Sequence, residues 1–137
     1  MGEAMTGGCA CGAIRYHVSA APLAMLYCQC RDCQQETGTG HAALLAFDSA
    51  AVVLTGTPSY WDAKGDSGTV KTRGFCPTCG APVHTTFAAN PGVVVLRAAS
   101  LDDPSQFAPQ FVTYHVRAQG WDHLDTALPM FDRMPPG

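Results

Sequence analysis

Seven cysteines carry the densest chemistry in this 137-residue sequence, and they fall into three short clusters. These are Cys9-Ala10-Cys11-Gly12, Cys28-Gln29-Cys30-Arg31-Asp32-Cys33 and Cys76-Pro77-Thr78-Cys79-Gly80. A lone buried cysteine is a small core hydrophobe, but confinement of all seven to three clusters points to a shared task. Two thiolates separated by two residues on a turn can converge on one Zn(II) at a Zn–S distance of about 2.3 Å, and Pro77 with Gly80 supplies the turn. Such a pair needs a second. Cys9 and Cys11 provide it, because alternate residues on a tight turn can both face a metal and Gly12 frees the backbone after them. The spacing therefore predicts a structural zinc held by Cys9, Cys11, Cys76 and Cys79, joining the start of the chain to its middle.

Cys28, Cys30 and Cys33 then stand apart. Three protein ligands with an open position are the arrangement of a catalytic zinc, whereas a structural zinc is closed by four. Two alternatives stay open on the residues alone. A histidine or Asp32 could supply a fourth ligand, or the metal could be lost and a Cys28–Cys30 or Cys30–Cys33 disulfide form on oxidation. A thioredoxin-type redox pair would need a βαβ context, which the pattern lacks. The expectation is two zinc ions per chain, one structural and one labile or catalytic. Cys30 is the catalytic candidate, bracketed by Cys28 and Cys33.

Other polar residues carry weaker signals. His41 follows Gly38-Thr39-Gly40, a turn able to bring its imidazole near the trio as acid–base or ligand. Arg31 lies inside the metal cluster and Arg73 three residues before Cys76, and on the residues alone each reads as a solvated surface charge. Neither His17, His84, His115 nor His123 shows ligand spacing to another. Tyr60, Trp61, Tyr114 and Trp121 read as core or lid aromatics, and Asp122 and Asp125, flanking His123, as a solvated loop.

The elements that must position these residues are short. The apolar runs Ala13–Val18, Leu23–Tyr27, His41–Phe47, Val52–Thr55, Pro58–Asp62, Thr69–Phe75, Val83–Phe87, Val93–Ala98 and Phe111–Val116 are rich in β-branched or aromatic residues. Turn signals divide them, among them Thr55-Gly56-Thr57-Pro58, Lys64-Gly65-Asp66-Ser67-Gly68 and Asn90-Pro91-Gly92. That pattern predicts a mostly β fold of antiparallel sheets stacked around a structural zinc. One short helix is expected at Arg31–Glu36 and a helical turn near Asp103–Phe107. With 14 Gly and 10 Pro spread along the chain a helix bundle is disfavoured, and 47% hydrophobic against 14% charged residues argues against disorder. The length fits one zinc-binding domain over residues 1–137.

A formal charge of -3 offers no basic surface for phosphates, so neither nucleic acid nor an anionic membrane is an expected partner. No run has the roughly 18–20 apolar residues of a membrane span, and the first residues have neither a basic nor an apolar leader segment. The expectation is a cytoplasmic protein, where thiols stay reduced and cysteine clusters serve metals rather than structural disulfides.

Gly8-Cys9-Ala10-Cys11-Gly12-Ala13-Ile14-Arg15-Tyr16, the Cys28–Cys33 cluster followed by Gly38, Arg73-Gly74-Phe75-Cys76-Pro77-Thr78-Cys79-Gly80 and Ser100-Leu101-Asp102-Asp103-Pro104 together resemble the glutathione-dependent formaldehyde-activating enzyme family, which also contains the centromere protein V-like domains. The resemblance runs from Gly8 to about Met134. It implies a mostly β zinc module in which Cys9, Cys11, Cys76 and Cys79 hold a structural zinc, and Cys28, Cys30 and Cys33 a catalytic one. The activity implied is a carbon–sulfur lyase reaction, the addition of glutathione to formaldehyde to give S-hydroxymethylglutathione. The expected partner is accordingly a small-molecule thiol or thiol adduct, and because glutathione carries two carboxylates the resemblance makes Arg31 and Arg73 candidate substrate contacts. The rival reading from another class is a non-catalytic zinc-binding scaffold or binding module with both clusters structural. A third is a thiol-based metal or redox sensor.

Overall fold

The computed structural model describes residues 4–65 and 68–136. Met1–Glu3, where the leader was sought, the middle of the Lys64–Gly68 turn and Gly137 lie outside them. Among the described residues ten strands form in two sheets: β1 (Met5–Gly8), β2 (Arg15–Val18), β3 (Ala24–Cys28), β4 (Ala42–Asp48), β5 (Val52–Thr55), β6 (Ser59–Lys64), β7 (Val70–Phe75), β8 (Pro82–Phe87), β9 (Val93–Arg97) and β10 (Phe111–Thr113). The smaller sheet has the order β1-β2-β5 and the larger β10-β3-β4-β9-β8-β7-β6. Among the described residues one α-helix, α1 (Arg31–Thr37), and several 3-10 turns complete the fold.

Period-2 alternation sets which face each strand buries. In β2, Tyr16 and Val18 are buried while Arg15 and His17 are exposed. In β4, Leu45 and Phe47 point into the main core and pack with Val83 of β8 and Val94 and Leu96 of β9. Ile14, Tyr16 and Val18 cover that layer from the small sheet's side. Each such side chain contributes roughly 1.5–3 kcal/mol on burial, so contact between the sheets is the main cohesive layer. The alternate residues of the large sheet, including Leu26, Leu44 and Val95, line a cleft on its other face.

Two elements, β1 and β10, differ from the sequence reading. β1 lies at Met5–Gly8, ahead of the first apolar run read from the sequence. It is a strand because a Cβ on Gly7 would lie 2.3 Å from the Ser100 carbonyl oxygen and 2.4 Å from the Tyr16 hydroxyl, so only glycine lets the chain pass so close. β10 pairs with β3 in parallel, Phe111 opposite Leu26 and Thr113 opposite Cys28, so the large sheet is mixed rather than purely antiparallel. A parallel partner needs a crossover of a dozen or more residues, and the segment between β9 and β10, with the 3-10 turn Pro104–Gln106, is long enough. β10 also ends at Thr113, short of Val116. Tyr114 turns into the left-handed region at φ 55°, ψ 37°, and a 3-10 turn follows over His115–Arg117.

Candidate metal centres and cleft

The first cluster is built from two similar turns. Cys9 N donates to Ile14 O at 3.0 Å and Gly12 N to Cys9 O at 3.3 Å, while Cys76 N donates to Ala81 O at 3.0 Å and Gly80 N to Cys76 O at 2.8 Å. Gly12 (φ 82°) and Gly80 (φ 77°) close the turns in the left-handed region that side-chain-bearing residues avoid. Backbone N–H groups point at the sulfurs, with Ile14 N 3.2 Å from Cys9 Sγ and Thr78 N 3.4 Å from Cys76 Sγ. The four sulfurs of Cys9, Cys11, Cys76 and Cys79 lie within 4.8 Å of one another. Cys11 Sγ is 3.7 Å from Cys9 Sγ and 3.6 Å from Cys76 Sγ. A tetrahedron with Zn–S bonds of about 2.3 Å has edges of about 3.8 Å, so the sulfurs stand at the spacing of a tetrahedral thiolate site. Backbone N–H groups of Ala81 and Cys11 lower the Cys79 thiol to about 6, as a ligand that must be deprotonated requires.

Cys28, Cys30 and Cys33 form the second group, all buried and within 4.8 Å of one another. Three pieces of local structure converge there. Cys28 ends β3, Cys30 is the N-cap of α1, its Sγ accepting from Cys33 N at 3.3 Å, and Cys33 sits in the first turn of α1. Gly38 ends the helix in the left-handed conformation. Hydrogen bonds from the Cys30 and Cys33 thiols, with burial opposing, drive the Cys28 thiol down to about 2. Its hydrogen bond in turn pushes Cys30 up and Cys33 well above the ordinary thiol range. Packed this closely, the three thiols oppose one another's ionisation, and a cation among them would relieve that opposition. This donor set fits a soft divalent metal such as zinc. All seven cysteines are free thiols, with neither of the two considered disulfides formed.

Among the described residues no histidine or carboxylate joins the trio as a fourth ligand. Asp32 does not reach it; its Oδ2 is buried without a hydrogen-bond partner. His41 is held elsewhere, its Nδ1 2.9 Å from Asp122 Oδ1. Asp122 was read as a solvated loop residue, but its side chain is 6% exposed and also accepts from Gln29 Nε2 at 3.1 Å. Gln29, buried between Cys28 and Cys30, further pairs its Oε1 with His115 Nδ1 at 2.8 Å. Gln34 Nε2 donates to the carbonyls of Gln29 and Arg117 at 2.8 and 2.9 Å. These amides fasten the cysteine loop to the segment after β10. Sequence reasoning missed them, although the position of Gln29 between two ligands was a usable signal.

Cys28 and Cys33 open onto the cleft, about 400 Å³, whose wall also holds Lys71, Arg73, Arg97 and Tyr114. Tyr114 is buried in one cluster with the three cysteines and Ala42, and its backbone there is left-handed. Of the two arginines weighed from sequence, Arg73 lines the cleft, while Arg31 bonds to Gln34 Oε1 and does not. Burial pulls the Arg73 guanidinium down, but Glu36 and then Cys33 outweigh it and hold it above its ordinary range. The aromatics Tyr60, Trp61 and Trp121, expected in the core or over it, are at least half exposed.

A larger cavity of about 560 Å³ includes only Cys9 of the seven cysteines. No helix among the described residues is long and apolar enough to cross a membrane.

Stacked, mostly β sheets carrying two thiol clusters that could each hold a metal ion define a small cysteine-rich class. Within it, the chain belongs to the glutathione-dependent formaldehyde-activating enzyme family, which matches over residues 4–117. The crystal structure of a Rhodobacter sphaeroides protein, a structural-genomics target, aligns with a TM-score of 0.61 at 21% identity, over 80% of this chain and 100% of that one. At that identity the likeness is one of fold. No curated protein matches the sequence.

Proposed function

We propose that this chain is one zinc-binding domain acting as a carbon–sulfur lyase, taking a small thiol such as glutathione at Cys28, Cys30 and Cys33 and adding it to, or releasing it from, an aldehyde-derived carbon. The observation that carries this reading is a three-sulfur group with no fourth protein ligand among the described residues, opening onto a cleft. The family's name supplies glutathione and formaldehyde as the first pair to try. A zinc ion at the trio would offer an open position to a sulfur and keep a bound thiol deprotonated. Cys9, Cys11, Cys76 and Cys79 hold a separate, structural zinc.

In the addition, the thiol sulfur forms a bond to the carbonyl carbon and the thiol proton ends on the carbonyl oxygen; release is the reverse. The protein's part is to bind and orient. Cys30 anchors the site as the N-cap whose sulfur accepts from Cys33 N, Tyr114 and the apolar floor of Leu26 and Leu44 exclude water, and the α1 turn keeps the three sulfurs together. Such a protein works in a reducing compartment, the cytoplasm.

The test is the rate of S-hydroxymethylglutathione formation from ¹³C-labelled formaldehyde, followed by NMR. The reading expects a rate above the uncatalysed reaction that Cys30→Ala abolishes while the fold and first metal are kept. A rate equal to the protein-free reaction would remove formaldehyde as substrate.

A further inference from the structure

The large sheet ends on β10 at one side and on β6 at the other. The chain itself covers the β10 side: Val112 bridges to Met130 in parallel, and Val112 N donates to Pro129 O and Phe131 N to Val112 O, both at 2.9 Å. In the small sheet, Thr6 O of β1 accepts from Asp102 N at 2.9 Å, and β5 is only four residues long. β6 has neither device. Its six residues pair with β7 and with no other strand among the described residues, and Tyr60 and Trp61 are half exposed there. An edge left open in this way is a template for a further strand.

The phase of the β6–β7 ladder says which groups wait at that edge. Gly65 N donates at 3.1 Å to Thr69 O, one step beyond the Lys64–Val70 pair. In an antiparallel pair, residues bonded to the partner strand alternate with residues whose N–H and C=O point away from it. Ser59, Trp61 and Ala63 therefore turn their main-chain groups to β7, and Tyr60, Asp62 and Lys64 turn theirs to the open edge. Across β7, Ala88 N donates to Val70 O at 3.1 Å, as this phase requires.

Charges are the usual guard of an open edge, but here they are of opposite sign, two positions apart on one face of the strand. Asp62 Oδ1 accepts from Thr72 Oγ1 at 2.7 Å. Lys64 has no hydrogen-bond or ion-pair partner among the described residues. A second copy laid antiparallel, with the two-fold axis at Ala63, sets Asp62 opposite the partner's Lys64 and Lys64 opposite the partner's Asp62. Both pairs can then exchange main-chain hydrogen bonds, with opposite charges at a Cβ separation of about 5 Å. Sliding the copy two residues either way sets Asp62 or Lys64 against its own equivalent, a like-charge pair that costs stability.

We infer that the open edge of β6 pairs with β6 of a second copy of this chain, in the antiparallel register that sets Asp62 against Lys64 across a two-fold axis at Ala63. Two seven-stranded sheets then run on as one. Trp61 comes to lie beside the partner's Gly65, which has no side chain to obstruct it.

The test is sedimentation velocity of the full, metal-loaded chain under a reductant, from roughly 1 µM to 1 mM, the range suited to a small interface. The native chain is expected to form dimers. Asp62→Lys and Lys64→Asp each turn both attractive pairs into like-charge ones, and each should weaken association by about tenfold or more. An equimolar mixture of the two variants restores both pairs in a heterodimer and should recover the association. Circular dichroism and metal content, expected unchanged in Lys64→Asp because it gives up no contact, separate lost pairing from lost fold. A native chain that stays monomeric over the whole range overturns the inference. A dimer that both variants leave intact uses another surface and overturns it too, as does a mixture that associates no better than its components.

Discussion

The side-chain amide of Gln29, set between Cys28 and Cys30, donates to Asp122 Oδ2 at 3.1 Å. That one bond ties the loop carrying two candidate ligands to a segment beyond the last strand, and it makes Asp122 a positioning residue. Outer partners that orient a metal-binding loop typically matter by 10–100-fold in metal affinity. Asp122→Ala should therefore lower metal affinity at the trio by about tenfold, with the first cluster still loaded. Metal retained per chain across a chelator series is the measurement.

The first cluster joins residues at the start of the fold to a turn between β7 and β8, so its loss should be felt as lost folding free energy. Cys76→Ser is expected to give insoluble protein or a large fall in melting temperature. Cys28→Ser should give soluble, folded protein with about one metal fewer. A purified Cys76→Ser protein with unchanged metal content and melting temperature would contradict the assignment.

Much of this site was legible because its signals are local. The C-x2-C pairs, the Gly12 and Gly80 turns and the Val52–Thr55 strand all declare themselves within a few residues. Glu36 was not legible as the partner of Arg73 and Arg97, because the contacts span 37 and 61 residues and depend on where α1 crosses the large sheet. Asp122 was misread for the same reason. Its solvated-loop appearance is overridden by His41 and Gln29, 81 and 93 residues away. Tyr114 is the core aromatic that the sequence suggests, whereas the left-handed turn that ends its strand was not legible.

Stability should depend on pH through His84. This imidazole is 6% exposed, and burial and then the Arg97 charge hold it below its ordinary range. The folded state therefore favours neutral His84, while the unfolded chain takes up a proton near pH 6.5. Its contribution is present above that pH and is lost as pH falls from about 6.5 through the lowered folded value. Urea titrations from pH 7.5 to 5 should show a steeper loss for the native chain than for His84→Gln, and equal slopes would remove His84 as the cause.

Phe47 is fully buried where the two sheets meet. Phe47→Ala removes its transfer free energy and leaves a cavity, together about 3–5 kcal/mol. The drop should appear as a lower urea midpoint at unchanged slope. A change under 1 kcal/mol, well below that range, would mean that the sheet interface is not the main cohesive layer.

The claim that the trio keeps a position open for a thiol is tested most directly by replacing its metal with cobalt and adding glutathione. A fourth sulfur alters the ligand field, so the thiolate-to-cobalt band should shift and saturate in the millimolar range or below, and Cys30→Ala should abolish the shift while the first cluster and the fold persist. A spectrum that glutathione and other small thiols leave unchanged, with the central site demonstrably loaded, would contradict the account and leave the cluster a structural one.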